Sequence, residues 1–435
     1  MRDDELRRIL ADANPWWASA AAGTDPTAWT RANRILRDRA GYDLGYRSRI
    51  LDDIARGQPD GSLTVLTGPR RAGKTVAVLD TAAHLCAHPE VDPRQVIYAS
   101  CDGMAARDLR RLITLGRALT RSVDAPAPRR RIWLLDEISG ITGWSSVLKA
   151  ARDAGDFGDD TVVATGSRWV GNEDVHGNLF AGRAGSGTGH RVRQLLPMGF
   201  RDYVTATHPH LPLPPVTHPG ELDGASAADA LSALAFGVDD VDLAWQDYLT
   251  CGGFPRAVAE HQRTGAVSTA YLRDLLAWLR ADVDPDAPTD SVPLLLAGIA
   301  GRMTSPMNLT ATAAELGYPN RDLFERRTIR LINSHAALRC RQRADDGRAV
   351  TGTQHKLYLT DPILAWLPAL VSPGLPRPDF TALNEMALAL ALARAIDQQD
   401  EGRWIADDTI GYARTGSGAR STSAPSASPA PPARR

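Results

Sequence analysis

Lysine is nearly missing from this 435-residue chain. Only Lys74, Lys149 and Lys356 stand among its fifty basic residues, and the other forty-seven are arginine. The bias is compositional, but it makes each lysine worth locating. Cysteine is also scarce: Cys86, Cys101, Cys251 and Cys340 are scattered without paired spacing, which argues against a disulfide framework and against a zinc site. Neither sign of charge dominates. A net charge of −1 gives no global pull toward nucleic acid and leaves only a local basic face open. No apolar run approaches the length of a membrane span, and the N-terminus is charged from Arg2, with no signal peptide expected. A cytoplasmic protein with no membrane partner is expected. Hydrophobic content of 43% then reads as that of a globular chain, long enough for two to four domains with real cores.

One of the three lysines closes the stretch Gly68-Pro69-Arg70-Arg71-Ala72-Gly73-Lys74-Thr75. Gly, four residues, Gly, Lys and then Ser or Thr is the pattern of a phosphate-binding loop. Its context agrees, because an apolar run from Leu63 to Thr67 precedes it and a helical segment, Val76 to His84, follows. Two glycines let the backbone turn its N–H groups inward on phosphate oxygens, and the helix N-terminus adds partial positive charge. Lys74 is expected to reach the outer phosphates and the Thr75 hydroxyl to hold Mg²⁺. A compact ammonium suits that place better than a guanidinium fork.

Further strands follow. Gln95 to Ser100 reads as a buried strand, and Arg107 to Val123 has helical apolar spacing. Ile132 to Leu135 is apolar and ends in Asp136-Glu137, sixty-two residues after Lys74. Such a pair predicts an acid that binds Mg²⁺ (Asp136) and one that activates the attacking water (Glu137); a surface turn is the plainer alternative. Thr161 to Thr165 ends in Gly166-Ser167, where the Thr165 or Ser167 hydroxyl would sense the γ-phosphate, unless it only caps a turn. The Gly-rich stretch 172–189 reads as a loop, and Val192 to Leu196 as a fifth strand. The expected fold is α/β: a five-stranded parallel sheet between helices.

The flanks are read more simply. Trp16, Trp17 and Trp29 in the extension 1–55 are expected to pack it on the domain over 56–205. His208, His210 and His218 lie in a Pro-rich stretch better read as a linker than as a metal site. A helical lid over 206–262 is broken at Gly252-Gly253-Phe254-Pro255. Within 263–365, three helices and two strands predict a winged helix whose third helix carries Arg321, Arg326, Arg327 and Arg330, placed either toward DNA, in solvent or against another domain. The Ser/Pro/Ala-rich tail 416–435 is expected to carry no structure.

Taken together, these motifs resemble a prokaryotic group of AAA-type ATPases with a C-terminal domain that is restriction-endonuclease-like at its end. The likeness rests on Gly68 to Thr75, Leu135-Asp136-Glu137-Ile138 with Trp144, Thr165-Gly166-Ser167, Gly182-Arg183, Leu196 to Tyr203, Gly252 to Pro255, and Lys356 to Asp361. It implies an ATPase core, a helical lid and a winged helix, with Arg183 as a charge stabiliser and Pro255 near the nucleotide base. Leu383-Asn384-Glu385 resembles the start of the nuclease-like module, and 410–415 resembles the strand before its acidic site. Here the acidic strand is absent, so a truncated module over 366–415 without nuclease activity is expected.

The expectation is therefore a Mg-ATP-binding and hydrolysing P-loop ATPase, acting as a nucleotide-driven switch or remodeller. Its rivals are an ATP-regulated DNA-binding protein and an ATP-dependent nuclease with an inactive module. ATP and Mg²⁺ are the expected cofactors, and DNA or a protein client the expected partner.

Overall fold

The central sheet of the first half is built from β1 (Leu63–Thr67), β2 (Val96–Ser100), β3 (Ile132–Asp136), β4 (Thr161–Gly166) and β5 (His190–Gln194). Every pairing is parallel, in the order β2-β3-β4-β1-β5. The computed structural model describes residues 1–55, 61–120, 130–167, 179, 190–211, 213–214, 228–229, 231–232, 234–286, 288–352, 354–399, 410–414 and 420–423. By its contacts the chain divides into two units, Met1–Pro197 and Met198–Arg435.

In the first unit the strands are near-continuous apolar runs, because helices cover both faces of the sheet. Alternate residues go to alternate faces. Leu63, Val65, Ile97, Ala99, Trp133 and Leu135 share a core with Leu109, Leu112 and Leu115 of α6 (Ala106–Leu119) and Val147 and Leu148 of α7 (Trp144–Asp153). Leu66, Val96, Tyr98, Leu134 and Val163 pack instead with Val78, Leu79, Ala82 and Leu85 of α5 (Lys74–Ala87).

The N-terminal segment, expected to pack on the domain over 56–205, is part of this unit. Leu6 and Leu10 of α1 (Asp3–Ala13) join the first core, and Trp16 of α2 (Trp16–Ala21), Leu36 of α3 (Arg34–Ala40) and Ile54 of α4 (Asp52–Ala55) join the second with Trp29. β2 is an edge strand whose outward backbone groups need partners. Asn14 donates to the Tyr98 carbonyl at 2.8 Å and accepts from the Tyr98 N–H at 2.7 Å. The Trp16 and Trp17 indoles both donate to the Val96 carbonyl, at 3.0 and 2.9 Å. One amide and two indoles thus stand where a sixth strand would pair.

The second unit is mostly helical: α8 (Phe200–Thr207), α9 (Val238–Cys251), α10 (Pro255–Thr264), α11 (Thr269–Val283), α12 (Ser291–Ala300), α13 (Leu309–Glu315) and α14 (Arg321–Asn333). An antiparallel pair follows, β6 (Ala337–Gln342) and β7 (Lys356–Leu359), then α15 (Pro362–Val371) and α16 (Phe380–Gln399). The helices expected near 293–303, 309–316 and 321–333 and the two strands after them are present in that order, preceded by α11. The C-terminal segment departs from expectation. β8 (Gly411–Arg414) pairs parallel with β6, and Arg420–Ser423, expected to carry no structure, forms β9 antiparallel to β8, in the order β7-β6-β8-β9. Backbone pairing accounts for this, since a strand of Arg, Ser and Thr needs no core of its own to extend an existing edge. Leu383, Met386, Leu390 and Ala393 of α16 are buried within the unit.

Two buried charges tie the second unit together. Asp361 caps α15 by accepting from the Ile363 N–H at 2.9 Å, and it also accepts from the Gly253 N–H at 2.8 Å. A Cβ on Gly252 would stand 1.9 Å from an Asp361 oxygen, so only glycine lets the turn come this close. Burial pushes the Asp361 carboxyl up to about 7, against those two N–H groups. Lys356, 3% exposed, meets Glu385 of α16 at 2.5 Å, and the Tyr358 hydroxyl donates to the same Glu385 oxygen at 2.6 Å.

Both generate predictions. Because the folded-state value of Asp361 is raised, the folded chain holds a proton that the unfolded chain releases near pH 4. This contribution is complete below that pH and is lost as pH rises through about 7. Asp361→Asn, neutral throughout, should therefore gain on the wild type by several degrees of Tm between pH 5 and 8. A constant gap would contradict the assignment. Glu385→Ala should cost about 3–5 kcal/mol by leaving a buried ammonium unpaired. Adding Lys356→Met should restore much of the loss in urea denaturation, because the double variant buries no charge.

Candidate nucleotide-binding and hydrolysis site

The site lies at the C-terminal ends of β1, β3 and β4, where the central strand order brings three separate loops together. β1 runs into the phosphate loop. Gly68 has φ = 153°, and a Cβ there would stand 2.0 Å from the Leu195 carbonyl oxygen, which is backbone and cannot yield. Gly73 has φ = 102° and open space around it. The first glycine is thus required by close approach and the second by conformation. Pro69, Ala72 and Lys74 are buried, whereas Arg70 and Arg71 are exposed. Lys74 donates to the Gly68 and Pro69 carbonyls, at 2.9 and 3.0 Å, so its ammonium is held inside the loop.

β3 delivers Asp136, a carboxylate 3% exposed. It accepts from the Thr165 hydroxyl at 2.5 Å and from the Tyr98 hydroxyl at 3.4 Å, and the Thr75 hydroxyl is bonded to it as well. Burial pushes its carboxyl above the usual carboxylate range. The Thr165 and Thr75 hydroxyls and the Lys74 ammonium oppose the rise, and the Glu137 charge adds to it. Glu137 follows with φ = 55°, in the left-handed region, and its N–H donates to the Thr165 hydroxyl oxygen at 3.0 Å. Its side chain accepts from the Ser167 hydroxyl at 2.8 Å. The tip of β4 fits closely here. A Cβ on Gly166 would stand 2.5 Å from the Ser139 Cβ, so glycine at this place lets Thr165 and Ser167 reach the two acids.

The structure therefore brings together Gly68, Pro69, Gly73, Lys74, Thr75, Asp136, Glu137, Thr165 and Ser167. Arg183 lies outside the described residues. Pro255 is the first residue of α10, in the second unit. A tight glycine-bounded loop, a lysine held within it, and a hydroxyl bonded to a buried carboxylate suit a nucleotide triphosphate with Mg²⁺. Of the three histidines, the rings of His208 and His210 lie 6.2 Å apart and His218 is outside the described residues. Among the described residues no group of three or more His, Cys, Asp or Glu could hold a metal ion, and no helix is long and apolar enough to cross a membrane.

Sequence reasoning missed Tyr98. Its register opposite Leu134, two residues before Asp136, follows only once β2 is known to lie beside β3. The sequence left the placement of the α14 arginines open, and it differs along the helix. Arg327 pairs with Asp284 at 2.8 Å and lies over the Tyr318 ring, and Arg330 donates to the Val283 carbonyl at 3.0 Å. Both fasten α14 to the end of α11, and Arg326 stays exposed.

The glycine geometry gives a graded prediction. Gly73→Ala should cost about 1–3 kcal/mol, the strain of a forced left-handed residue in open space. Gly68→Ala adds a backbone clash and should cost more, and it should abolish the rise in Tm produced by Mg-ATP. Equal urea midpoints for the two variants would refute the close approach.

Residues 60–204 match a family model described as an AAA domain. No curated protein matches the chain. Among solved structures it is similar to a Walker-type ATPase of Pyrococcus abyssi, at 15% identity and a TM-score of 0.43, over 75% of this chain and 99% of that one. It is similar also to the ORC2 protein of Aeropyrum pernix in ADPNP and ADP complexes, at 12% identity and a TM-score of 0.35, over 81% of this chain and 98% of that one. A DNA polymerase III gamma subunit-related protein of Thermotoga maritima follows at 14% identity and a TM-score of 0.27, over 65% and 99%. The phosphate loop, the acid pair and the family match together identify an AAA-type P-loop ATPase domain over residues 60–204.

Proposed function

We propose that the chain binds and hydrolyses Mg-ATP and uses the nucleotide to switch conformation or remodel a client. One observation carries this reading: the loop lysine, the hydroxyl–carboxylate pair and a second carboxylate converge at the ends of three adjacent parallel strands. The loop N–H groups from Gly68 to Thr75 cradle phosphates, and Lys74 leaves the Gly68 and Pro69 carbonyls for the outer phosphate oxygens. Thr75 and Asp136 hold Mg²⁺, which when bound neutralises charge developing on the phosphate oxygens. Glu137 orients and deprotonates the attacking water. Thr165 and Ser167, each bonded to one of the two acids, report the γ-phosphate to them. The roles of Arg183 in charge stabilisation and Pro255 at the base rest on the family resemblance alone.

For the client, the second unit favours a protein over nucleic acid. Two of the arginines that would face DNA from a winged helix, Arg327 and Arg330, are engaged within the unit. Glu385, the carboxylate that a nuclease-like module would use, is taken up by Lys356 and Tyr358.

Binding and chemistry separate by mutation. Lys74→Ala should abolish binding of a fluorescent ATP analogue. Glu137→Gln should keep that binding and lower kcat roughly 10²–10⁴-fold, the range for a lost general base. If both variants lose binding equally, Glu137 is not the base.

A further inference from the structure

The Tyr98 hydroxyl has no part in packing that a phenylalanine could not fill, yet it points at Asp136 Oδ2 from 3.4 Å. Tyr98 lies on the edge strand, and its N–H and carbonyl are the two groups that Asn14 takes. Asn14 is itself fixed, because its amide also donates to the Leu10 carbonyl at 2.7 Å, and it is buried. A rigid series therefore runs from α1 through Asn14 to the backbone of Tyr98, and along its ring to the carboxylate. Trp16 and Trp17 hold the same strand two residues upstream, at Val96.

We propose that Tyr98 is a positioning residue for Mg²⁺ at Asp136, and that the N-terminal segment belongs to the nucleotide site because Asn14 sets the register of β2 that places Tyr98. This rests on the reading of Asp136 as a metal-holding carboxylate. The physical reason is geometric. Asp136 Oδ1 is occupied by Thr165, so Oδ2 is the oxygen whose direction is set from the β2 side. A hydroxyl donor there fixes the carboxylate plane without competing for charge, as partners behind a metal ligand commonly do. Without it the Thr165 and Thr75 hydroxyls still hold the buried carboxylate, but Oδ2 loses its donor from the β2 side and is aimed correctly for a smaller fraction of the time.

The test uses the full chain and reads metal binding directly. Mn²⁺ is titrated into the protein–ADP complex and followed by electron paramagnetic resonance, and Mg²⁺ is titrated in steady-state ATP hydrolysis. Tyr98→Phe should weaken Mn²⁺ on the order of tenfold, the lower end for loss of such a partner, and raise the Mg²⁺ needed for half-maximal turnover by a similar factor. Turnover at saturating Mg²⁺ should fall far less, which a purely structural defect would not produce. Asn14→Ala should shift both titrations the same way by a smaller factor, and Asn14→Gln should not restore them, since the longer side chain misplaces the amide. Asp136→Asn serves as the reference and should abolish Mn²⁺ binding. If Asp136→Asn abolishes it while Tyr98→Phe leaves it unchanged, the proposal is wrong and the reading of Asp136 stands. If Asp136→Asn leaves Mn²⁺ affinity intact, both fall. Should Asn14→Ala not fold, Tyr98→Phe alone decides, because it keeps the ring and its packing.

Discussion

A carboxylate that is almost entirely out of water has to be solvated by protein, and the first unit is arranged around doing this for Asp136. Three hydroxyls, from the start of α5, from β2 and from β4, surround it. They are neutral donors on different elements, so the strand order β2-β3-β4-β1 is what allows them to meet. A hydroxyl can turn its proton away when a cation arrives, and each bond is individually weak. The arrangement keeps the carboxylate in place while leaving it exchangeable.

The second unit holds its own buried carboxylate in the opposite manner. Asp361 is met by two backbone N–H groups, from a glycine turn and from a helix start. Neither donor can rotate away, and the turn cannot accept a side chain at Gly252. Such a carboxylate fixes geometry and has no capacity to exchange ligands. The contrast between mobile hydroxyls at Asp136 and immobile amides at Asp361 separates a group free to exchange partners from one fixed in place.

What the sequence revealed follows how local each signal is. Gly68 to Thr75 was legible because its requirements all fall within eight residues, and Asp136-Glu137 because an apolar strand ending in two acids is a short pattern. The packing of Trp16 and Trp29 was legible too, since indoles in a polar stretch need a surface to cover. The particular bonds were not. That Asn14 would pair with Tyr98 depends on which strand is the sheet edge, and the sequence orders strands by chain position only. The placement of Arg327 and Arg330 stayed open among DNA, solvent and another domain because Asp284 and Val283 lie at the end of a helix whose packing angle no periodicity encodes. The pairing of β8 with β6 escaped notice for a similar reason: four residues joined to a strand nearly seventy positions earlier leave no pattern in either segment.

Glu137 carries a tension of a different kind. It is one of three non-glycine residues with positive φ among the described residues, and its long side chain has none of the short-range backbone bonds that make asparagine tolerable there. Glycine at this position would relieve the backbone, and the fold would gain by it. The residue proposed as the base is thus one that the local backbone would reject. Selection for heat resistance alone, without a demand for turnover, would drift toward replacing it. A variant of this chain recovered from such a selection with glycine at 137 would be a more stable protein that had lost the carboxylate bonded to Ser167.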